Sequence, residues 1–589
     1  MNGEGGLDVI GTETGRHAIA GHGSRQPCAT SLAIVLVMLL AGLGCVTPSA
    51  RTAALAQAAP PASPADEGAP TVSPSLEASA PSLAEAALVE AVPPGAATAE
   101  APVPAAPRRS AQPEPADEAN RAARTPEPPP AAAPPLPAGT AQNVARARLA
   151  ADLAALQAFR PSYPFWQHIF TVPDGHIAFG SREDGRLLAT FPARGNWQRA
   201  GAWEDPALAR AVAGRPLPRR LSDRRDALAE RLEPLVGPVV HNATRGRFLA
   251  PHAQRYGPFL REWGDIYERF GVPAEIGLAQ ALVESGLNGR ARSPVRALGF
   301  CQWMPRNWNR LKRLSPNVIE GYNQTTQAPF CAAYLTILAT MYGSFLPALS
   351  EHHAGGVNVG RVVINGERLG GADEREQYLM GSDFVRELRQ VSIRRYRHLF
   401  RTYGPRSALY AEMVFGNALN VTRLMDEMPQ ARIFAMRAPR SLPLSEVMAK
   451  SGLSRDEVRR YNPALVRRVP ARAHVYLPEY VPEFGPDVSF WHRPAPAEYA
   501  AVLNEFVRLD VPVERWHEAG FEPTIRDFRS RFEATNSEEG TIMASVLGYV
   551  LQELRASLRP AILDEFRDSD RIRRLFDRGR RELAAGGGS

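Results

Sequence analysis

One glutamate in this sequence is placed where a carboxyl group can act as a general acid. The pattern of residues 271–289, GVPAEIGLAQALVESGLNG, predicts an apolar helix that begins near Pro273 and ends at Gly286. Glu284 lies in its last turn, at the negative end of the helix dipole and beside apolar neighbours, and both effects favour the protonated carboxyl. A carboxyl that is protonated near neutral pH can donate a proton to a leaving group. The alternative is an ion pair between Glu284 and an arginine such as Arg290.

Three further segments follow Glu284 along the chain. They are SPVRALGFCQWMP at 293–305, the apolar run PFCAAYLTILATMYGSF at 329–345 and LSEHHAGG at 349–356. Together with the Glu284-Ser285 pair, this order resembles the lysozyme-like domain of the soluble lytic transglycosylase family, in particular its membrane-bound type D branch, over residues 245–405. Glu284 then corresponds to the catalytic acid of that family. The same resemblance implies that Ser285, Gln302 and Met304 contact the sugar substrate.

The activity implied by the resemblance is cleavage of the β-1,4 bond between N-acetylmuramic acid and N-acetylglucosamine in peptidoglycan. One glutamate protonates the leaving oxygen and then removes the proton from the 6-hydroxyl of the muramyl sugar, which closes a 1,6-anhydro ring. Most glycosidases need two carboxylates, and the nearest second candidate here is Glu351. Two alternatives remain: a hydrolytic muramidase in which Glu351 or another acid activates water, and a noncatalytic scaffold that binds peptidoglycan.

Two segments depart from the family's pattern. Where the family usually has Ala-Tyr-Asn-Ala-Gly, this chain has Glu-His-His-Ala-Gly, which puts His352 and His353 in the substrate site. We expect these imidazoles to contact the sugar and to make the charge of the site vary with pH, or else to pack in the core. The family's Glu-Thr-x-x-Tyr segment corresponds to residues 392–396, so Tyr396 is the tyrosine predicted to orient Glu284. Adjacent histidines alone make a poor zinc motif, and neither a metal nor an organic cofactor is expected.

Two cysteines of this region, Cys301 and Cys331, each lie beside an element of the predicted sugar groove. In an oxidising compartment they could form a disulfide that closes a loop of about 30 residues and stabilises the fold by about 3 kcal/mol. The alternative is a pair of buried thiols that behave as small apolar groups.

The composition indicates several domains and a long linker. The chain has 589 residues, of which 53 are proline, 44% are hydrophobic and 22% are charged. The 4 cysteines exclude a disulfide-framework miniprotein, and a mean hydropathy of −0.25 excludes a polytopic membrane protein. Residues 46–140 contain 21 prolines, many alanines and no aromatic residue, so this segment is predicted to be a disordered linker.

Residues 1–45 are predicted to export and anchor the protein. The apolar run at 31–44 follows two arginines and ends at Cys45, which resembles the lipobox of bacterial lipoproteins, in which this cysteine is lipidated. Plain cleavage by signal peptidase and an uncleaved anchor are the alternatives. Each of these outcomes places the body of the protein in the bacterial cell envelope, in the periplasm, and an anchor would add a membrane contact at the N-terminus.

The remaining regions are predicted to be accessory. Residues 141–244 include alternating apolar and polar residues around Asp-Gly turns at 171–191, which indicates a β-hairpin. Residues 434–480 resemble a LysM module, a βααβ unit that binds N-acetylglucosamine chains, and Asn462 matches its most recognisable position. A degenerate module used only for packing is the alternative. Residues 496–585 show a charged helical pattern, which indicates a region that binds a protein partner, a capping region or a solvated helix.

The fold class predicted from these patterns is mainly α, with an α+β lysozyme-like catalytic domain and small β accessory parts. The formal charge of +7 is unevenly spread, because residues 1–45 carry −1 and residues 46–140 carry −5, which leaves +13 on residues 141–589. A basic body attracts polyanions. Nucleic acid is not expected as a partner, because export removes it and no basic motif with stacking aromatic residues is present. The expected partner is the glycan strand of peptidoglycan.

Overall fold

A computed structural model describes residues 140–214, 216–314, 321–400, 407–509, 521–557 and 559–586. The structure is 65% helix and 8% strand, which confirms the prediction of a mainly α fold with small β parts. The predicted export segment with Cys45 lies outside the described residues, as does the predicted linker apart from its last residue. Within the described ranges, no helix is both long and apolar enough to cross a lipid bilayer.

Residues 141–244 combine helices with a small antiparallel sheet. The elements are α1 (Ala141–Phe159), α2 (Trp166–Thr171), β1 (His176–Ser181), β2 (Leu187–Pro192), α3 (Trp197–Ala200), β3 (Ala202–Trp203), α4 (Pro206–Val212), α5 (Leu221–Val236) and β4 (Val239–Ala243). The predicted hairpin is confirmed, because β1 and β2 pair antiparallel with Ile177 opposite Phe191. The sequence analysis missed β3 and β4, which complete a sheet in the order β3-β2-β1-β4. The apolar residues that alternate along β1 and β2 form a core with α5.

Residues 245–427 are predominantly helical. The elements are α6 (Gly246–Tyr256), α7 (Leu260–Arg269), α8 (Ala274–Ser285), α9 (Pro305–Leu314), α10 (Gln324–Tyr342), α11 (Phe345–Ala354), α12 (Gly356–Arg368), α13 (Glu374–Val391), α14 (Arg397–Phe400) and α15 (Tyr410–Glu427). Helices α8 and α10 are buried on nearly all sides, because their sequences are apolar on every face. Helix α15 packs along α8, and α11 packs against both α10 and α15. This packing brings the C-terminal half of α11 and the start of α15 into the region of Glu284.

Residues 434–477, called the βααβ unit below, contain the two predicted helices and outer strands, together with two short strands that the sequence analysis missed. In chain order the elements are β5 (Phe434–Arg437), β6 (Leu442–Pro443), α16 (Leu444–Ser451), α17 (Arg455–Tyr461), β7 (Arg468–Val469) and β8 (His474–Leu477). The missed strands are β6 and β7. Strands β5 and β8 pair antiparallel, and the unit has a small hydrophobic core of its own. It also packs on the helical region: the ring of Tyr461 lies 4.7 Å from that of Phe259, and the hydroxyls of Tyr476 and Thr326 lie 2.6 Å apart.

The C-terminal helices are part of the main body of the protein. They are α18 (Ala497–Phe506), α19 (Phe521–Ala534), α20 (Glu538–Ala556), α21 (Arg559–Asp568) and α22 (Asp570–Gly586). Helix α20 packs on α9 and α10, α21 packs on α12, and α22 packs on α13 and α14. Their apolar faces belong to the same hydrophobic core as the helices around Glu284. Of the predicted alternatives, a solvated helix is therefore wrong for this region.

Candidate active site

Glu284 occupies the last turn of α8 and is only 3% exposed. The helix ends one residue later because Gly286 adopts a left-handed conformation with a φ of 61°. A Cβ atom at this position would lie 2.1 Å from the carbonyl oxygen of Phe248, so only glycine fits. The glycine therefore determines where the helix stops and which side chain occupies its end.

Tyr410, the first residue of α15, is a polar partner of this carboxyl. Its hydroxyl donates a hydrogen bond of 2.5 Å to Oε1 of Glu284. Burial and the neighbouring Glu284 raise the pKa of Tyr410 well above its usual value, so the phenol keeps its proton and remains a donor. The side chain of Gln280, one helical turn before Glu284, lies beside the same hydroxyl.

A buried arginine holds the turn that carries Tyr410. Arg160, immediately after α1, donates to the carbonyl oxygen of Ala408 at 2.8 Å and forms an ion pair with Glu412. Burial raises the pKa of Glu412, against the opposing effect of the Arg160 charge. Helix α1, which the sequence analysis could assign only to an accessory region, therefore contributes to the position of Tyr410.

Helix α1 also holds the start of α11, the helix that carries the two histidines. The buried carboxylate of Asp152 accepts hydrogen bonds from the hydroxyl of Ser344 at 2.6 Å and from the backbone N–H of Phe345 at 2.7 Å. It also lies 2.7 Å from Arg375. These contacts satisfy backbone and side-chain donors at the helix N-terminus, where unpaired N–H groups would otherwise be buried.

Burial raises the pKa of Glu284 to about 7, although the hydrogen bond from Tyr410 opposes this shift. At neutral pH both the protonated acid and the carboxylate are therefore populated, as is required of one group that donates a proton and later accepts one. In the described part of the chain, the basic side chain within 4 Å of this carboxyl is His352, at 3.9 Å from Oε1. The alternative of an arginine partner for Glu284 is therefore wrong.

Replacement of Tyr410 by phenylalanine is expected to raise the pKa of Glu284 further, because the lost hydrogen bond stabilises the charged carboxylate. A general acid is active while protonated, so the alkaline limb of the pH–rate profile should move upward, by about one pH unit. The rate at pH 6 should fall about tenfold, since the carboxyl loses its orienting contact. The measurement is glycan-release rate against pH, with Tyr396→Phe as the matched control that leaves the profile in place. An unchanged alkaline limb in Tyr410→Phe would contradict the prediction that Glu284 is the general acid and that Tyr410 lowers its pKa.

His352 lies at the edge of the site with its ring partly exposed. Its Nε2–H donates to the carbonyl oxygen of Cys301 at 3.0 Å. Burial lowers the pKa of His352 to about 4, so the ring is neutral at neutral pH. It packs in an aromatic cluster with Trp303 and Tyr334, to which Tyr549 of α20 also belongs. The C-terminal region thus supplies one side chain to the surroundings of the site.

His353 is buried beside Tyr410. It is 2% exposed, its ring stacks on that of Tyr410 at 4.4 Å, and its Nε2 lies 3.2 Å from the hydroxyl of Ser407. Burial lowers the pKa of His353 to about 3. The predicted sugar contact is therefore wrong for His353, which takes the core-packing alternative. Because burial keeps both imidazoles neutral at neutral pH, the predicted pH-dependent charge at the histidines is wrong as well. Among Glu284, His352 and His353, the side chain whose pKa lies near 7 is Glu284.

The loop after α8 is fixed by side chains that were predicted to bind sugar. The hydroxyl of Ser285 donates to the carbonyl oxygens of Ala281 and Phe300, both at 2.9 Å. The amide of Gln302 donates to the carbonyl oxygen of Gly299 at 2.8 Å. Both side chains are buried and donate to backbone carbonyl oxygens, so they hold the loop and do not face a groove. Met304, the third predicted groove residue, is half-buried.

The structure joins Cys301 and Cys331 in a disulfide. This bond links the loop after α8 to α10, and Trp303 donates its indole N–H to the sulfur of Cys331 at 3.3 Å. The backbone of Cys301 is also the acceptor for His352. The disulfide therefore constrains the loop segment on which the His352 ring rests.

Two predicted assignments are corrected by the contacts of the side chains. The hydroxyl of Tyr396 donates to Glu582 of α22, so the prediction that Tyr396 orients Glu284 is wrong. Glu351 is neither solvated nor at the surface: it is buried and forms a two-point ion pair with Arg559, at 2.6 and 2.9 Å. It also accepts a hydrogen bond of 2.6 Å from Tyr342. Three of the roughly four acceptor sites of this carboxylate are therefore occupied by protein donors.

Asn462 is enclosed within the βααβ unit. Its amide donates to the carbonyl oxygens of Val458 and Tyr476, and its oxygen accepts from the backbone N–H of Tyr476. The side chain is 3% exposed. The prediction that Asn462 itself contacts glycan is therefore wrong, since the amide is used to fasten α17 to β8.

Sequence reasoning missed Tyr410, although a signal was present. Ser407 and Tyr410 have the same spacing as the threonine and tyrosine of the Glu-Thr-x-x-Tyr segment that was matched to Tyr396. An apolar helix follows Tyr410, whereas the segment at Tyr396 is rich in arginine. Sequence reasoning also missed Arg559 and Tyr549, for which no motif or spacing in the sequence gave a signal.

A comparison with protein families gives a match in this region. Residues 262–371 match the Transglycosylase SLT domain family, which consists of peptidoglycan glycan lyases. The match lies within the predicted 245–405 region and includes Glu284, Cys301 and both histidines. A search of curated proteins finds no match.

Proposed function

We propose that this protein is a peptidoglycan lytic transglycosylase in which Glu284 is the single catalytic carboxyl and 1,6-anhydromuramyl ends are the products. The observation that carries the proposal is the carboxyl of Glu284 at the end of a buried helix, with its pKa raised to about 7 and its Oε1 bound by Tyr410. The match of residues 262–371 to the SLT domain supports the substrate class.

In the first step, the protonated carboxyl donates its proton to the oxygen of the scissile bond between N-acetylmuramic acid and N-acetylglucosamine. Tyr410 holds Oε1, so Oε2 is the atom that transfers the proton. The resulting carboxylate then accepts the proton of the muramyl 6-hydroxyl, whose oxygen attacks the anomeric carbon and closes the anhydro ring. A pKa near 7 suits both half-reactions, because neither protonation state is costly to reach at neutral pH.

The two alternative functions have less support. A hydrolytic muramidase needs a second carboxylate to activate water, and the candidate, Glu351, is occupied by Arg559 and Tyr342. A noncatalytic scaffold would not need a raised pKa at Glu284. The two histidines do not argue for a decayed site, because His353 supports Tyr410 and His352 contacts the loop at Cys301.

The rest of the chain suits an envelope protein of the type D branch. We propose that residues 1–45 export the protein and attach it to the membrane, with Cys45 as the lipidated residue, and that the Pro/Ala-rich linker lets the body reach the wall from the periplasmic face. The βααβ unit, as a LysM-like module, would hold glycan through surfaces other than Asn462. The burial of the apolar faces of α18–α22 in the core leaves their charged faces for any protein partner.

Mass spectrometry of the soluble products that the full chain releases from purified peptidoglycan tests the proposal. Muropeptides with anhydromuramyl ends, lighter by one water than hydrolytic products, are expected. Reducing-end products would instead establish a hydrolase, and binding to sacculi without release of fragments would establish a scaffold.

A further inference from the structure

The surface formed by residues 389–398 and helix α22 has an unusual concentration of positive charge. We call it the basic ridge. Its two segments contain ten arginines and three acidic residues, a net charge as large as that of the whole chain. Contacts join the segments: Arg395 and Tyr396 both bind Glu582, and Arg571 lies 3.1 Å from His398. Two of the three acids are therefore already paired within the ridge, Glu582 with Arg395 and Asp570 with Arg573.

The basic ridge also exposes two β-branched apolar side chains. Val391 is 53% exposed and Ile393 is 52% exposed. They are the closest in sequence of the large apolar side chains that the described part of the chain exposes. They flank Ser392 at the end of α13, directly before the exposed Arg394. Helix α22 itself turns its apolar residues inward, with Ile572 and Phe576 buried, so it supplies charge and not apolar surface.

We propose that the basic ridge docks on an anionic lipid surface, with Val391 and Ile393 entering the interface and the arginines contacting phosphate headgroups. A soluble polyanion would need only the cations, whereas a lipid interface uses cations and exposed apolar groups together. The contact would be separate from any N-terminal anchor. It does not depend on the proposed lytic activity.

The test uses the full chain on vesicles of phosphatidylcholine alone or mixed with phosphatidylglycerol. An anchor would hold the chain on both kinds of vesicle, so the readout must be local: the hydrogen exchange rate of the backbone amides at 391–396. Each arginine close to an anionic bilayer strengthens binding about fivefold. We expect exchange to slow about fivefold or more on the anionic vesicles and to recover in 1 M salt, where the screening length is about 3 Å.

Variants separate the two components of the contact. Val391→Asp/Ile393→Asp and Arg394→Glu/Arg397→Glu should each abolish the slowing, while exchange in α8 stays unchanged and shows that the fold is intact. The matched control is Val466→Asp, which removes a 66% exposed valine beside Arg467 and Arg468 on the βααβ unit and should have no effect. Equal exchange on both vesicle types would overturn the proposal. Equal slowing by soluble polyphosphate, insensitive to the Val391→Asp/Ile393→Asp change, would overturn it too and indicate a polyanion site.

Discussion

Replacement of Glu284 by glutamine is expected to reduce the release of soluble muropeptides by about a thousandfold, because a general acid that contributes its proton in the transition state is lost. The change keeps the size of the side chain and its contact with Tyr410. The measurement is the initial rate of product release from purified peptidoglycan at pH 6, where the parent carboxyl is protonated. The matched control is Glu275→Gln at the start of the same helix, where the glutamate is partly exposed and pairs with Arg146.

The free energy of unfolding of the same variant shows whether a loss of activity comes from the missing proton donor or from a folding defect. The pKa of Glu284 is raised from 4.5 to about 7 by burial, so ionisation of the buried carboxyl costs the parent stability as the pH rises through this window. Glutamine does not ionise, and Glu284→Gln should therefore gain about 3 kcal/mol relative to the parent between pH 4 and pH 8. An inactive variant that is also less stable than the parent at pH 8 would point to a structural defect. If Glu284→Gln retains more than a tenth of the parent rate, Glu284 is not the general acid.

Glu284 could be predicted from sequence because its placement depends on local features. A helix start at Pro273, an apolar run and a glycine stop lie within a few turns of one another, and periodicity reports such features directly. The partner of the carboxyl is a different case. Tyr410 lies 126 residues away, and only the packing of α15 along α8 brings it into contact. A spacing match chose Tyr396, but both tyrosines are buried, and only the packing of the helices decides that Tyr410 reaches Glu284 while Tyr396 reaches Glu582.

Three of the residues predicted to contact sugar, Ser285, Gln302 and His353, instead contact the protein, for a related reason. A motif marks residues that a site requires, but does not say whether they face the ligand or hold the loop. Ser285, Gln302 and His353 are all buried with their polar atoms on protein partners. Strand β3 was missed because it has only two residues, and β4 was missed because its sequence, Val-Val-His-Asn-Ala, does not alternate apolar and polar residues.

The C-terminal helices show where sequence patterning is least informative. Arg559 and Arg567 lie on the same helix with similar charged neighbours, yet Arg559 is 5% exposed and Arg567 forms a surface pair with Glu367. Nothing local distinguishes them, because the burial of Arg559 depends on Glu351, 208 residues earlier. The charged helical pattern therefore suggested a solvated region, whereas the structure has a buried ion pair between Arg559 and Glu351.

Replacement of Arg559 by methionine is accordingly expected to have the largest effect on stability, because the buried carboxylate of Glu351 loses its counter-charge. Removal of one partner of a buried ion pair costs about 3–5 kcal/mol, and the expected loss in urea unfolding is of this size. Activity should fall as well, since Glu351 precedes His352 on α11. Arg567→Met, on the same helix, is the control and should cost under about 1 kcal/mol.

The double variant Glu351→Gln/Arg559→Met decides whether charge or packing is responsible. With both charges removed, Tyr342 still has an amide acceptor, and most of the stability lost in Arg559→Met should return. If the double variant is no more stable than Arg559→Met, the arginine stabilises α21 through its packing, and the ion pair is not what joins the C-terminal helices to α11. If stability returns but activity does not, the Glu351–Arg559 pair also positions α11, the helix that carries His352. The C-terminal helices are then needed for activity as well as for stability.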